Sequence, residues 1–239
     1  MKRVILLLLA LALTFSMTGC GRYTTPQATP APTSTSEPTA PEAETSPDNE
    51  TQNSVSEEGA KNDESGVKML VVYFSRTGEQ YNVGVIDKGN TAIVADAIVD
   101  ATGADVFEIL PADDHYPTTY KELTDVGMQE QREKARPAIA GELPDLSRYE
   151  VVFIGSPVWW GDWPMILYTF FESTECSGVK LVPFSTHEGS GLSGFDRSLA
   201  ASYPDCEVLK GLAIRGADAQ NAPEGVKAKV NDWLSELGY

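Results

Sequence analysis

Hydroxyl-bearing residues separate an apolar run at 69–74 from a helical pattern that begins near residue 90. The apolar run is rich in β-branched and aromatic side chains, which is typical of a buried strand. A helix start offers free N–H groups and the positive end of the helix dipole, and Ser and Thr hydroxyls donate further hydrogen bonds. The sequence therefore predicts an anion-binding turn that suits a phosphate. Its candidate residues are Ser75, Arg76, Thr77, Gly78, Asn90 and Thr91.

This turn contains an inserted segment, residues 79–89. Without it, the chain reads Ser-Arg-Thr-Gly-Asn-Thr-Ala, which closely resembles the phosphate loop of flavodoxins, the FMN-binding electron carriers. The resemblance implies that FMN is the cofactor. An ordinary strand-to-helix turn is the alternative for this stretch taken alone. The insertion leaves open which of the candidates contact the phosphate and whether Gln80 or Tyr81 joins them.

A second candidate loop follows the apolar run 151–156 and holds three tryptophans, at positions 159, 160 and 163. Indoles at the end of a strand are costly to leave in water, and a flat aromatic ligand would cover them. We expect Trp163 to pack within the protein instead. The segment 155–161, Gly-Ser-Pro-Val-Trp-Trp-Gly, looks like the second flavin loop of bacterial flavodoxin-like proteins. This resemblance implies flavin contacts by Pro157, Val158, Trp159 and Trp160.

The third candidate loop, 185–191, resembles the loop that follows the fourth strand in the same family. The resemblance implies that Thr186, His187, Glu188 and Gly189 lie at the edge of the flavin ring, although the loop lacks a Tyr at this place. His187 could handle a proton or contribute only its backbone, and both alternatives stay open. We interpret His115 as a solvated loop residue. The spacing of His and Cys residues predicts no metal site and no catalytic residue.

Apolar runs alternate with helical patterns throughout residues 67–239. The expected strands are 69–74, 105–110, 151–156, 180–185 and 207–214, and the expected helices begin near 90, 116, 164, 192 and 223. Parallel neighbours need crossover connections, so this alternation predicts an α/β fold with a doubly wound five-stranded parallel sheet. The family resemblance implies strand order 2-1-3-4-5, with the ligand crevice at the carboxyl ends of strands one and three.

The first 20 residues read as a signal peptide, because Lys2 and Arg3 precede an apolar segment, 4–15, that is short for a membrane span. Residues 17–20, Met-Thr-Gly-Cys, resemble a bacterial lipobox, although Leu is usual where Met17 stands. The resemblance implies lipidation of Cys20 and a membrane-anchored, extracytoplasmic lipoprotein. A plain secretory signal is the alternative.

Residues 21–66 read as a disordered linker, because they are rich in Pro, Ser, Thr and acidic residues and poor in large apolar ones. Residues 67–239 carry 14 basic and 26 acidic residues, a formal charge of −12, which disfavours a nucleic-acid partner. Cys176 and Cys206 precede neighbouring expected strands, so a disulfide and two free buried thiols both remain open.

Two classes of function follow. The first is an FMN-binding redox protein, either an electron carrier or an FMN-dependent oxidoreductase that uses NAD(P)H or a quinone. Its partners would be a redox protein or a quinone, and the membrane through the lipid anchor. The second is a flavodoxin-fold binding or interaction module without flavin. The sequence leaves open the electron donor and acceptor, the choice between carrier and reductase, the role of the insertion and the oligomeric state.

Overall fold

The structure is a computed structural model, and it describes residues 67–239. The predicted signal peptide, the lipidation of Cys20 and the predicted linker 21–66 lie outside the described residues. Within residues 67–239, no helix has the length and apolar character that crossing a membrane requires.

The described chain alternates strands and helices as the sequence predicts. The strands are β1 (Met69–Tyr73), β2 (Gly78–Gln80), β3 (Gly84–Ile86), β4 (Asp105–Glu108), β5 (Val151–Pro157), β6 (Lys180–His187), β7 (Glu207–Val208) and β8 (Leu212–Arg215). The helices are α1 (Asn90–Thr102), α2 (Tyr120–Glu133), α3 (Met165–Ser173), α4 (Phe195–Ser202), α5 (Gly216–Asn221) and α6 (Pro223–Leu237), and a single 3-10 turn spans Leu146–Arg148.

The main sheet is parallel and follows the order β4-β1-β5-β6-β7, with β8 also paired to β6. The predicted doubly wound α/β fold is therefore confirmed. The predicted fifth strand, 207–214, is the one difference in the main sheet, because it is divided into β7 and β8 and the sheet has six strands. The interruption at 209–211 contains Gly211, which passes close to the backbone of Pro183 on β6.

Alternate residues of the central strands enter two separate hydrophobic cores, as expected for a sheet that is covered on both faces. Leu70, Val72 and Ile154 pack with side chains of α2, α3 and α4. Val71, Phe153 and Val182 pack with side chains of α1, α5 and α6 on the other face. The helices thus hold the carboxyl ends of β1, β5 and β6 in fixed positions.

Three elements differ from the sequence-based expectation. The insertion forms an antiparallel hairpin, in which β2 pairs with β3. The second helix begins at Tyr120 rather than at Tyr116, because Tyr116 is buried in the core and Pro117 follows it. The short helix α5 was not predicted, since it has only six residues and few apolar ones.

Cys176 and Cys206 form a disulfide, with their Cα atoms 6.5 Å apart. Of the two alternatives that the sequence leaves open, the structure shows the bridge. The cysteines precede β6 and β7, which are parallel neighbours, so the bond joins the amino ends of these strands. The three candidate loops follow the carboxyl ends of the strands, so the disulfide lies at the opposite end of the sheet.

Candidate functional site

A cavity of about 460 Å³ lies at the carboxyl ends of the sheet strands. Strands β4 and β5 flank β1 on opposite sides, so chain connections leave β1 and β5 toward different faces and open a crevice between their loops. Two of the predicted loops and the start of α1 line the cavity. The lining residues are Gln80, Tyr81, Asn90, Tyr120, Leu123, Thr124, Gly127, Pro157, Val158, Trp159, Trp160, Thr186, His187, Glu188 and Gly216.

The first loop reaches the helix start through Ser75. Its hydroxyl oxygen accepts a hydrogen bond from the Ala92 N–H at 3.1 Å, and so satisfies one of the N–H groups at the start of α1. Gly89 precedes the helix, and a Cβ there would lie only 2.1 Å from the Ser75 oxygen. Gly89 is therefore the glycine at the junction of loop and helix. The hairpin β2–β3 is inserted in the loop between Thr77 and Gly89.

Two of the predicted phosphate-loop residues, Arg76 and Gly78, contact the segment before α2 and not the cavity. The Arg76 guanidinium pairs with both carboxylate oxygens of Asp114, at 2.9 and 3.0 Å, and donates to the Tyr116 carbonyl at 3.0 Å. Gly78 begins β2, where a Cβ would lie 2.6 Å from the Thr118 carbonyl oxygen. Arg76 thus binds the segment before α2, Gly78 lies close to the backbone of that segment, and neither residue lines the cavity.

The remaining candidates of the first loop lie around the helix start. Thr77 is exposed. Asn90 lines the cavity, and its side-chain oxygen accepts from the Gln220 amide at 2.8 Å. The Thr91 hydroxyl is buried and lies 2.8 Å from the Thr186 hydroxyl. Of these candidates, the start of α1 offers backbone N–H groups to an anion in the cavity, whereas Thr77 does not line the cavity.

The second loop sends its three indoles to different places. Trp163 is buried and stacks on Phe195, with ring centroids 3.5 Å apart. This confirms that it packs within the protein. Trp159 and Trp160 both line the cavity. Trp160 is 53% exposed and donates from its ring nitrogen to the Thr124 carbonyl on α2 at 2.9 Å.

Trp159 packs against two other aromatic rings. Phe74 and Tyr116 meet it edge-on, with centroids 5.6 and 5.4 Å away. Gly127 of α2 permits this approach, because a Cβ there would lie 3.1 Å from the indole. The indole ring is therefore packed against aromatic neighbours at the cavity wall.

The third loop contributes Thr186, His187 and Glu188 to the cavity, whereas Gly189 lies outside it. The Gly189 N–H donates to Nδ1 of His187 at 2.9 Å. Burial lowers the pKa of His187, and Arg215 lowers it further, while Glu188 opposes the shift. The lowered pKa favours the neutral form of the ring, and in that form the proton is on Nε2 because Nδ1 accepts the Gly189 N–H.

Glu188 connects the third loop to α5. One of its carboxylate oxygens accepts from the Ala217 N–H at 2.8 Å, and the other lies 3.5 Å from the Arg215 guanidinium. Gly216 lies between Glu188 and Asn90, where a Cβ would be 2.3 Å from the Asn90 amide nitrogen. The third loop, the start of α5 and the start of α1 therefore contact one another at one end of the cavity, which we call the inner end.

Sequence reasoning missed the wall formed by α2. The lining residues absent from the predicted set are Tyr120, Leu123, Thr124, Gly127 and Gly216, and Gln80 and Tyr81 were left open. A usable signal was present, since Gly127 interrupts an otherwise helical pattern, and such a glycine often marks a close packing contact.

His115 is an exposed loop residue, as the sequence predicts, and both of its ring nitrogens are also hydrogen-bonded. Its Nε2 lies 2.9 Å from a carboxylate oxygen of Glu130, which is buried on α2. The other Glu130 oxygen accepts from the Tyr116 hydroxyl at 3.2 Å. The Asp113 carbonyl, which faces Nδ1, raises the pKa of His115, and the Glu130 bond raises it further. Among the described residues, no cluster of His, Cys, Asp and Glu has the arrangement of a metal site.

Comparison with known proteins identifies the relatives of this chain. Residues 68–235 match the family described as Flavodoxin. Among curated proteins, no sequence is significantly similar to the chain. A solved structure described as a flavoprotein from Bacteroides uniformis is 31% identical, with a TM-score of 0.54, and the match covers 70% of this chain and 99% of that one.

Two further solved structures are similar over comparable lengths. A flavoprotein from Bacteroides eggerthii is 29% identical, with a TM-score of 0.52 and coverage of 70% of this chain and 97% of that one. A flavoprotein in complex with FMN from Lactobacillus acidophilus is 19% identical, with a TM-score of 0.49 and coverage of 65% and 96%. The family match spans most of the chain, and therefore this chain belongs to the flavodoxin family.

Proposed function

We propose that this chain binds FMN in the cavity and acts as a redox protein. The observation that carries the proposal is that one cavity joins a helix N-terminus to a wall of indole rings at the point where the sheet order reverses. A helix N-terminus suits the phosphate of a mononucleotide, and aromatic side chains suit its planar ring. Membership of the flavodoxin family supports FMN as the ligand.

The residues present fit the two ends of this cofactor. At one end, the backbone N–H groups of Asn90 and Thr91 would hold the phosphate. At the other, Pro157, Val158 and Trp159 would contact the flat ring. Thr186, His187 and Glu188 would lie along the edge of the ring. Trp159 packs against Phe74 and Tyr116, so it would order the ring without a large change of its own position.

Bound FMN supplies reversible electron transfer, and the protein controls its surroundings. Trp159 and Val158 would exclude water from one side of the ligand. In its neutral form, His187 would offer a hydrogen-bond donor, Nε2–H, because Nδ1 is taken by the Gly189 N–H. The acidic surface of residues 67–239 would disfavour extra negative charge in the cavity.

We further propose that the protein lies outside the cytoplasmic membrane, with a lipid on Cys20 and with residues 21–66 as the linker to the flavin domain. The supporting pattern is the apolar segment 4–15 followed by Met-Thr-Gly-Cys. Cells that express the chain and are fed radiolabelled palmitate should label the wild type and not a Cys20→Ala variant. Equal labelling of both proteins would contradict the anchor.

A visible absorption spectrum of the purified chain, before and after incubation with FMN and gel filtration, tests the main proposal. We expect the absorption bands of an oxidised flavin to elute with the protein. A colourless protein that also fails to take up FMN would contradict the proposal and support a flavin-free interaction module. Anaerobic addition of NADH or NADPH then separates the two redox roles, since bleaching indicates a reductase and its absence leaves electron carriage.

A further inference from the structure

Exposed aromatic side chains are concentrated at the outer end of the cavity. Tyr81, Tyr120 and Trp160 are 54%, 38% and 53% exposed, and all three line the cavity. They are three of the seven large apolar side chains that are exposed in the described region, so the concentration is specific to this place. We call these three residues the aromatic ledge. Such a cluster marks a site where an apolar ligand or surface binds.

The insertion hairpin is fastened so that the ledge keeps its shape. The Glu79 N–H donates to the Thr118 carbonyl at 2.7 Å, and the Glu79 carboxylate accepts from the Tyr120 N–H at 2.8 Å. These two bonds hold β2 against the start of α2. Tyr81 consequently stacks on Tyr120, with ring centroids 5.6 Å apart and planes inclined by 29°.

Trp160 reaches the ledge at a conformational cost. Trp159 and Asp162 exchange backbone hydrogen bonds of 2.9 and 3.0 Å, so Trp160 and Gly161 are the central residues of a two-residue hairpin turn. Both have positive φ, +50° and +80°. Asn and Gly are the residues favoured in such turns, and a bulky side chain there is strained. The strain places an indole over α2, where Thr124 binds its ring nitrogen.

The charges around the cavity restrict what the ledge accepts. Cations flank three lining residues, Asn90, Tyr120 and Gly216, and each of these cations is paired with a carboxylate. The pairs are Lys88–Asp96, Lys121–Asp125 and Arg215–Glu188. Residues 67–239 also carry a formal charge of −12. Of these cations only Lys121 adjoins a residue of the ledge, Tyr120, and Lys121 is paired with Asp125. An anionic ligand at the ledge would therefore gain little from Lys121, whereas an uncharged planar ring would contact three aromatic side chains.

We propose that the aromatic ledge binds an uncharged planar aromatic molecule of the quinone class beside the FMN-loaded cavity. This inference rests on the proposed function, because it names the small-molecule partner of the same site. The ledge is built largely by the insertion hairpin, the turn at Trp160 and the start of α2, while the inner end is built by α1, β6 and α5. The outer and inner ends can therefore be altered separately.

Equilibrium dialysis of menadione, an uncharged naphthoquinone, against the oxidised and FMN-saturated chain tests the proposal. We expect saturable binding of menadione, and at least tenfold weaker binding of a sulfonated naphthoquinone. Tyr81→Leu and Trp160→Asn should each weaken menadione binding about three- to tenfold, since one aromatic contact is lost in each. Asn suits the positive φ at this position, so we expect Trp160→Asn to retain the turn.

Val85→Ser is the matched control, because Val85 lies on the same hairpin, is 79% exposed and does not line the cavity. It should bind menadione as the wild type does. If FMN binds but menadione does not, or if the ledge variants behave like Val85→Ser, the ledge inference is overturned and the proposed function stands. If the wild-type chain takes up no FMN, the proposed function fails, and the inference that rests on it fails too.

Discussion

The hydroxyl groups of Thr91 and Thr186 lie 2.8 Å apart in the protein interior. Thr91 is the second residue of α1, and Thr186 is near the end of β6. The bond therefore joins the first and third loops of the cavity directly. Because the Thr91 hydroxyl is hydrogen-bonded to Thr186, it affects the cavity by fixing the first and third loops relative to each other.

Thr91→Val should lower the free energy of unfolding by about 1–3 kcal/mol, because it leaves the buried Thr186 hydroxyl without its partner. Urea denaturation of the two proteins measures the change. The double variant Thr91→Val, Thr186→Val removes both hydroxyls, and we expect it to recover most of the loss. Losses in the two single variants that simply add in the double variant would show that the bond contributes nothing.

The His115–Glu130 pair should make stability depend on pH. Both ring nitrogens of His115 face acceptors, and its pKa is raised above 6.5 in the folded protein. Protonated His115 therefore stabilises the folded state. This contribution is complete at pH values below the pKa of His115 in the unfolded chain, and it is lost as the pH rises through the pKa of His115 in the folded protein.

Glu130→Gln removes the charge of the pair while retaining an acceptor for the Tyr116 hydroxyl. The wild type should therefore exceed this variant in the free energy of unfolding by more at about pH 5.5 than at about pH 8.5. Chemical denaturation at both pH values gives the comparison. A stability gap that stays constant or widens toward high pH would be inconsistent with a charged pair.

The sequence predicted the sheet well because its strands are buried on both faces and appear as continuous apolar runs, such as 69–73 and 151–156. It also located the cavity loops, since they follow those strands. It failed where contacts join distant segments. Arg76 looked like a phosphate ligand, yet its charge is met by Asp114, 38 residues away. The hairpin β2–β3 was missed because each strand has only three residues.

The Cys176–Cys206 bridge should stabilise the folded state by about 3–4 kcal/mol, because it closes a long loop in the unfolded chain. The double variant Cys176→Ser, Cys206→Ser should lose this free energy of unfolding, as measured by urea denaturation. The wild type in a reducing buffer should show a similar loss. Thiol titration of the unfolded, unreduced wild type should detect at most the thiol of Cys20, and two additional thiols would mean that the bridge does not form.

Gly89→Ala tests the junction between the phosphate loop and α1. The added methyl group would lie 2.1 Å from the Ser75 hydroxyl oxygen and 2.7 Å from the Arg76 carbonyl oxygen, so the loop has to move away from the helix. This movement would break the hydrogen bond from the Ala92 N–H to Ser75. We expect a stability loss of about 1–2 kcal/mol and at least tenfold weaker FMN binding.

Gly225→Ala is the matched control for this substitution. Gly225 lies inside α6, and its nearest neighbour to an added methyl group is the Ala222 Cβ at 3.8 Å. Alanine is favoured over glycine in a helix, so this variant should gain about 0.5–1 kcal/mol and bind FMN as the wild type does. Titration of FMN fluorescence measures both affinities. Equal affinities in Gly89→Ala and Gly225→Ala would place the phosphate away from the start of α1, because a displaced loop could not leave a phosphate site there unchanged.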